Sequence, residues 1–353
     1  MNLKITNKEI YIQNKLLKWY KTNSRKLPWR DSKINKRSKP YITLVSEFML
    51  QQTTVNTVIP KFSNFIKIWP NIEKLSSTKE STILKFWSGL GYYSRAKNLL
   101  RTAKIINQIH KKKVPNTYKN LILLPGVGDY TAKAILGIAF NKPVMPIDSN
   151  IERIISRIYG LCLPLNKIKK EVKNKSERFI SNKFSNELIQ AFMDYGSIIC
   201  VPKNPICNNC IIKKNCISHK KNIQNVVPLK NNIYLNKIKK YTRAYVLSNE
   251  KNEILIRKRS SYGMLPSMIE VPNDDWVKNK KLLVHDDLAV KLINKLKLIG
   301  SVKYSFSHFD LETDVFFVKI SKKRYPNQKW INIKKINKSG LPTVMKKIVQ
   351  TVY

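Results

Sequence analysis

The sequence predicts an all-α N-terminal region followed by a smaller α+β domain. Three observations carry that reading. Up to about residue 200, apolar residues recur at helical spacing and regular period-two alternation is nearly absent. Four of the five cysteines then fall between Cys200 and Cys216. Beyond them the texture changes to short runs rich in β-branched and aromatic residues.

Residues 8–22 predict a first helix, with Ile12, Leu16, Leu17 and Trp19 on one face. Arg25-Lys26-Leu27-Pro28-Trp29-Arg30 reads as a loop, and a basic polar stretch leads to Pro40. Leu44, Val45, Phe48 and Met49 give residues 42–52 a second helical stripe. More helices run to about residue 200. One is expected from about Tyr130 to Phe140; another follows Asp148, marked by Ile151, Ile154, Ile155 and Ile158 and ended by Gly160. Residues 217–237 are polar and basic and read as a linker. Thr242 to Leu247, Glu253 to Arg257 and Val302 to Ile320 predict strands, with a helix between about 285 and 297. Domains are therefore expected at 1–216 and 238–353. No internal repeat or long low-complexity tract interrupts them.

A chain of 353 residues with 42% hydrophobic side chains can bury two or three cores. No stretch approaches the roughly 20 apolar residues of a membrane span. The start, Met1-Asn2-Leu3-Lys4-Ile5-Thr6-Asn7-Lys8-Glu9, lacks the apolar core of a signal peptide. A soluble cytoplasmic monomer with no membrane partner is the expectation. The 67 basic and 22 acidic residues give a net charge of +45, which attracts a polyanion, nucleic acid above all. The abundance of Lys, Asn and Ile is also what an AT-biased genome writes, so part of that charge is explained without function.

The spacing Cys200-x6-Cys207-x2-Cys210-x5-Cys216, without a signal peptide, points to a metal centre rather than to disulfides. Zinc is one reading, but structural zinc sites are usually two short pairs set apart by a longer loop. Only Cys207 and Cys210 form such a pair. The compact, uneven spacing suits a [4Fe–4S] cluster, with one thiolate per iron. Lys203, Lys213 and Lys214 lie in or beside this loop, to reach phosphates or to stay solvated. Cys162, within Leu161-Cys162-Leu163, reads as a small core residue.

Three further motifs bear chemistry. Leu124-Pro125-Gly126-Val127-Gly128 is a tight turn ahead of a helix, whose backbone N–H groups suit a phosphate. Asp148 in Pro146-Ile147-Asp148-Ser149-Asn150 precedes an amphipathic helix; by itself it reads as a capping residue, with Ser149 and Glu152 placed for a capping box. Glu47 sits in Val45-Ser46-Glu47-Phe48-Met49-Leu50-Gln51-Gln52-Thr53 among apolar neighbours. Burial there raises a carboxyl pKa toward that of a general acid at neutral pH.

Taken together, residues 8–216 resemble the endonuclease III and MutY glycosylases of DNA repair, in the hairpin, the Asp 20 residues after Gly128, and the cysteine loop. The 25–30 loop, the Glu47 string and Gly89-Leu90-Gly91-Tyr92-Tyr93-Ser94-Arg95 look like the MutY-type adenine glycosylases in particular. The bifunctional relatives carry a catalytic Lys two residues past the second hairpin Gly; here that residue is Tyr130, whose phenol forms no Schiff base. Lys133, three residues on, should face elsewhere. The extra C-terminal region is similar to the Nudix-like domain that reads 8-oxoguanine, with Phe306-Ser307-His308 resembling its lesion-reading loop. Gly263 to Pro272 holds only Glu270, short of a glutamate-rich hydrolase box, and Met268-Ile269 stands where the family usually has Leu-Trp.

The resemblance implies a helix–hairpin–helix region of two helical lobes, a [4Fe–4S] cluster, and hydrolysis of adenine from DNA where it is mispaired with 8-oxoguanine or guanine. It implies base flipping, Glu47 as the acid protonating the departing adenine at N7, Asp148 as the carboxylate facing the sugar cation, and Tyr130 lining the pocket. The arrangement parallels the two carboxyl groups of glycoside hydrolysis. Arg25, Leu27, Trp29, Arg30, Gly126, Val127, Gly128 and Asn150 are expected at the DNA or substrate. Gln52 and Tyr92 are expected to intrude into the stack, and Gln190 to touch the base. Rival readings are a glycosylase/lyase of the endonuclease III kind, a decayed DNA-binding protein on the same scaffold, and a zinc-stabilised nucleic-acid-binding module.

Overall fold

The computed structural model of the chain describes residues 5–31, 34–229, 237–260, 262–323, 325 and 328–353. It divides into two compact units, Met1–Thr78 with Asn98–Ile233, and Lys79–Lys97 with Tyr234–Tyr353. Among the described residues, no helix is long and apolar enough to cross a membrane.

The first unit is helical. Its helices are α1 (Asn7–Asn23), α2 (Lys39–Leu50), α3 (Val55–Ile68) and α4 (Ile72–Ser76); α5 (Glu80–Trp87) belongs to the second unit, and α6 (Ser94–Ile109) leads back. Then come α7 (Tyr118–Ile122), α8 (Asp129–Ala134), α9 (Ser149–Tyr159), α10 (Leu165–Glu177), α11 (Ser185–Ile198) and α12 (Ile217–Lys220). One core forms where α11 packs on α1 and α9: Ile12 and Leu16 meet Ile151, Ile154, Ile155, Ile158, Phe192 and Tyr195. The other gathers around α2, which packs on α3 and α8. Leu44, Val45, Phe48 and Met49 on α2 are fully buried, the stripe their spacing predicts. The helix expected at 130–140 is α8 followed by a π turn, Ile135–Ala139.

The second unit carries a six-stranded sheet: β1 (Ile238–Ser248), β2 (Glu253–Lys258), β3 (Ile269–Glu270), β4 (Lys297–Ser305), β5 (Phe309–Lys319) and β6 (Gln328–Asn332). The order is β3-β2-β1-β5-β4, with β6 also on β2, and β1 and β5 run parallel. Alternation along β1 sends Ala244 and Val246 to one face and Tyr245 and Leu247 to the other. α14 (Thr343–Gln350) covers the first face through Val344, Met345, Ile348 and Val349; α13 (Asp287–Val290) covers the second through Leu288 and Ala289.

Several expectations are corrected. The strand expected over 302–320 is the end of β4, a turn at 306–308, and β5. The 285–297 helix shrinks to α13 plus a 3-10 turn at Ile293–Lys295, and α14 follows where no helix was expected. The segment read as a linker from 217 begins with α12 and buries Ser218 and Val227; its residues 230–236 lie outside the described residues. Cys162 is exposed, because the chain leaves the core after Gly160 turns left-handed (φ +64°), and only Leu161 of that trio is buried.

Candidate active site and metal centre

Three elements of the first unit converge. α2 carries Glu47, α8 carries Tyr130, and Asp148 is the N-cap of α9. Glu47 is buried, and that burial pushes its carboxyl up to about 7; Asp148 adds to the rise, while a hydrogen bond from Tyr130 and the Arg30 charge oppose it. Tyr130 is raised well above the ordinary phenol range, by burial first and then by Glu47 and Asp148. The three groups therefore interact: the phenol is hydrogen-bonded to Glu47, and Asp148 acts on both through its charge.

Asp148 does cap its helix, accepting from the Ile151 N–H at 2.7 Å, so the cap is Asp148 rather than Ser149. Its other oxygen accepts from Asn150 Nδ2 at 2.9 Å. Asn150 is held by Arg153, whose Nη2 donates to the Asn150 side-chain oxygen at 2.8 Å and to the Gly196 carbonyl at 2.7 Å. A Cβ on Gly196 would stand 2.6 Å from that of Asn150, so only glycine lets α11 approach so closely.

Lys133 points away, pairing with Asp129 at 2.9 Å. The hairpin turn has Gly126 left-handed (φ +78°), with Asn98 and Phe48 against it, while the space beside Gly128 is open. Gln51 donates to the Gly126 carbonyl at 3.2 Å and so braces that turn. Val127 is buried.

The 25–30 loop is pinned to α11. Arg25 Nε and Arg30 Nη1 donate to the fully buried Asp194 carboxylate at 2.6 and 2.7 Å, and the Arg25 N–H donates to it at 2.9 Å. Leu27 is buried and Trp29 packs edge-on against Phe62. The sequence reading missed Asp194, Arg153 and Gln51. Asp194 was detectable only as an acid inside the apolar run Phe192-Met193-Asp194-Tyr195. Gln190 is nearly buried, its amide bonded to Asn186 one turn back. Gln52 is exposed with φ +54° and Tyr92 with φ +44°, left-handed backbone that a side chain rarely adopts.

In the second unit, Phe306 stacks on Phe309 at 4.7 Å, leaving Ser307 and His308 exposed at the β4–β5 turn. The Ser307 hydroxyl is hydrogen-bonded to that of Tyr92, in the same unit. Glu270 is held by Arg257 and Arg259 and accepts from Asn273.

The four cysteines of the loop line one small pocket, together with Ile154, Ile212 and Arg157. Among the described residues, no three His, Cys, Asp or Glu side chains converge tightly enough for a single ion. Donors face the sulfurs: Arg157 Nη1 lies 3.3 Å from Cys200 Sγ, Tyr195 and the Ile212 N–H serve Cys210, and the Ser218 and His219 N–H groups serve Cys216. Burial raises the Cys207, Cys210 and Cys216 thiols, Cys216 to about 11. Such donors and spacing fit thiolates on a multi-iron centre.

Comparison with known proteins places this geometry among DNA glycosylases. Residues 45–182 match the HhH-GPD superfamily base excision DNA repair protein model, and residues 243–351 match the NUDIX domain. The chain is 34% identical to the adenine DNA glycosylase of Buchnera aphidicola subsp. Baizongia pistaciae, over 96% of this chain and 95% of that one. It is 25% identical to the human adenine DNA glycosylase, over 94% of this chain and 72% of that one. Among solved structures it resembles a thermostable thymine-DNA glycosylase (TM-score 0.55, 29% identity, 61% of this chain and 97% of that one). It shares its fold with endonuclease III trapped covalently on DNA (TM-score 0.52, 20% identity, 62% and 100%).

Proposed function

The chain belongs to the adenine DNA glycosylase family, base excision hydrolases of N-glycosyl bonds in DNA, and we propose that its substrate is adenine opposite 8-oxoguanine or guanine, released without strand cleavage. The observation that carries the monofunctional reading is the contact of Tyr130 with Glu47, at the position where a lyase would need an amine.

Glu47, whose buried carboxyl is raised to about 7 and so is still partly protonated at neutral pH, gives its proton to the departing adenine. The bond to the sugar breaks with cationic character at C1′. Asp148, fixed by Asn150 and the Ile151 N–H, faces that cation as a carboxylate. Water completes the hydrolysis. Tyr130 is a positioning residue: its O–H holds the Glu47 carboxyl in place and tempers its pKa. The open side of Gly128 suits a phosphate, and the exposed Gln52 and Tyr92 suit insertion beside an extruded base. Strained backbone at both supports that role. Ser307 and His308, on an exposed turn, are the candidates for reading the opposite base. Arg25 and Arg30, engaged by Asp194, shape the pocket rim more than they offer free charge.

Cys200, Cys207, Cys210 and Cys216 would hold one [4Fe–4S] cluster, which when bound ties the loop together as a structural unit rather than transferring electrons in hydrolysis. The monomer and an association with the nucleoid complete the proposal.

The test is base release from a duplex with one adenine opposite 8-oxoguanine, with and without alkali afterwards. Breakage only after alkali supports the reading; breakage without alkali returns the lyase. No breakage by protein absorbing near 400 nm points to another substrate or a decayed enzyme.

A further inference from the structure

The first unit has a second cleft, at the end of α2 remote from the active site. Lys36 and Arg37 ahead of α2, Glu73 on α4, and Lys111, Lys112 and Lys113 after α6 line it. All five cationic side chains are exposed. Lys112 pairs with Glu73 at 2.9 Å, and among the described residues no carboxylate pairs with the other four. Lys111 and Lys112 have φ of +48° and +64°, where glycine is the low-cost residue, so these cations stand at positions that backbone preference disfavours. Ser38, Pro40 and Tyr41 bring the first turn of the 12-residue α2, the positive end of its dipole, to the same cleft.

The far end of α2 leads to Gln52. At a rise of about 1.5 Å per residue the two ends are about 18 Å apart, so the cleft and the Gln52 end lie at opposite ends of the helix. Long, flexible lysines read point charges at regular spacing and demand no base or side-chain pattern. That matches a phosphodiester backbone better than an acidic peptide with anchoring side chains.

We infer that this cleft binds a second duplex segment while the lesion duplex occupies the active-site face, allowing direct transfer between DNA segments. The inference rests on DNA being the ligand of the active-site face. It adds a site with a kinetic role in the search for lesions.

The test follows dissociation of a fluorescent lesion duplex as unlabelled lesion-free duplex is added. Direct transfer makes the dissociation rate rise with competitor concentration; simple release leaves it constant. The triple variant Lys36→Gln, Lys111→Gln, Lys113→Gln should lose that dependence yet keep the wild-type single-turnover rate. A triple variant of the same charge loss elsewhere, Lys251→Gln, Lys334→Gln, Lys335→Gln, should keep the dependence. A constant rate for the wild type, or equal loss in both variants, overturns the site. So does acceleration by polyglutamate equal to that by duplex, which would make the cleft a peptide site. If the wild type shows competitor dependence but releases no adenine, the proposed substrate fails and the second site stands.

Discussion

Arg153 donates from Nε to the carbonyl oxygen of Cys200 at 2.7 Å, tying the first cysteine of the loop to the helix that Asp148 caps. The same guanidinium holds Asn150, which holds the Asp148 carboxylate. Arg153→Leu would leave the Asn150 oxygen and the Gly196 carbonyl without this donor, while the Cys200 carbonyl keeps Arg157 at 3.3 Å. Each buried group so stranded costs about 1–3 kcal/mol. The denaturant midpoint should fall accordingly. Single-turnover base release, measured where the variant is still folded, should slow as Asp148 loses its orientation. Arg153→Lys, restoring a single donor, should be intermediate in both. An unchanged midpoint and rate would remove Arg153 from the link.

Glu47 predicts a pH dependence with a definite sign. Its folded pKa is raised to about 7 by burial, and as a general acid it works protonated. Base release should therefore be full below about pH 7 and fall above it. The same shift acts on stability. A carboxyl raised in the folded state binds its proton more tightly there than in the unfolded chain. The associated stability is fully present below the unfolded value of 4.5 and is lost as pH rises through about 7. Glu47→Gln should lose about 10²–10⁴ in rate, yet unfold at a higher temperature than the wild type at pH 8 and at nearly the same temperature at pH 4. The loss on ionising Glu47 is on the order of 3 kcal/mol. Equal melting of the two proteins at pH 8 would contradict the burial account.

Tyr130 lowers the Glu47 pKa through its hydrogen bond. Tyr130→Phe should thus move the alkaline limb of the base-release profile to higher pH, keeping relatively more activity at pH 8 while reducing the maximum. A limb displaced downward, or not at all, would show that the phenol does not donate to Glu47 in the working enzyme.

What the sequence revealed and what it hid divide along physical lines. The helical stripe of α2 and the amphipathic α9 are local patterns, and both cores follow from them. Glu47 was readable because its neighbours are apolar. Asp194 was not, since its partners Arg25 and Arg30 lie 169 and 164 residues away and the ion pairs exist only once α11 packs. The β4–β5 turn escaped the strand pattern because Phe306-Ser307-His308 has no Gly or Asn to mark it, and only the family resemblance read that trio as a loop. Cys162 misled because its apolar neighbours suggested core where the chain runs along the surface. The left-handed Gln52 and Tyr92 are backbone facts that composition does not carry.

Gly126 and Gly128 sit two residues apart and should fail in different ways. A Cβ on Gly126 would meet Asn98 Cβ and Phe48 Cε1, both at 2.9 Å, on a backbone with φ +78°. Phe48 follows Glu47, so the clash is transmitted to the candidate acid. Gly126→Ala should lower stability by about 2 kcal/mol and slow base release. Gly128 has φ −92° and nothing within 4 Å of its would-be Cβ. Gly128→Ala should change stability by less than about 1 kcal/mol, but place a methyl where a phosphate would approach the turn. Its signature is weaker binding to lesion-free duplex with an almost unaltered denaturant midpoint. Wild-type affinity in Gly128→Ala would take this turn out of the DNA-binding face, whatever Gly126→Ala does.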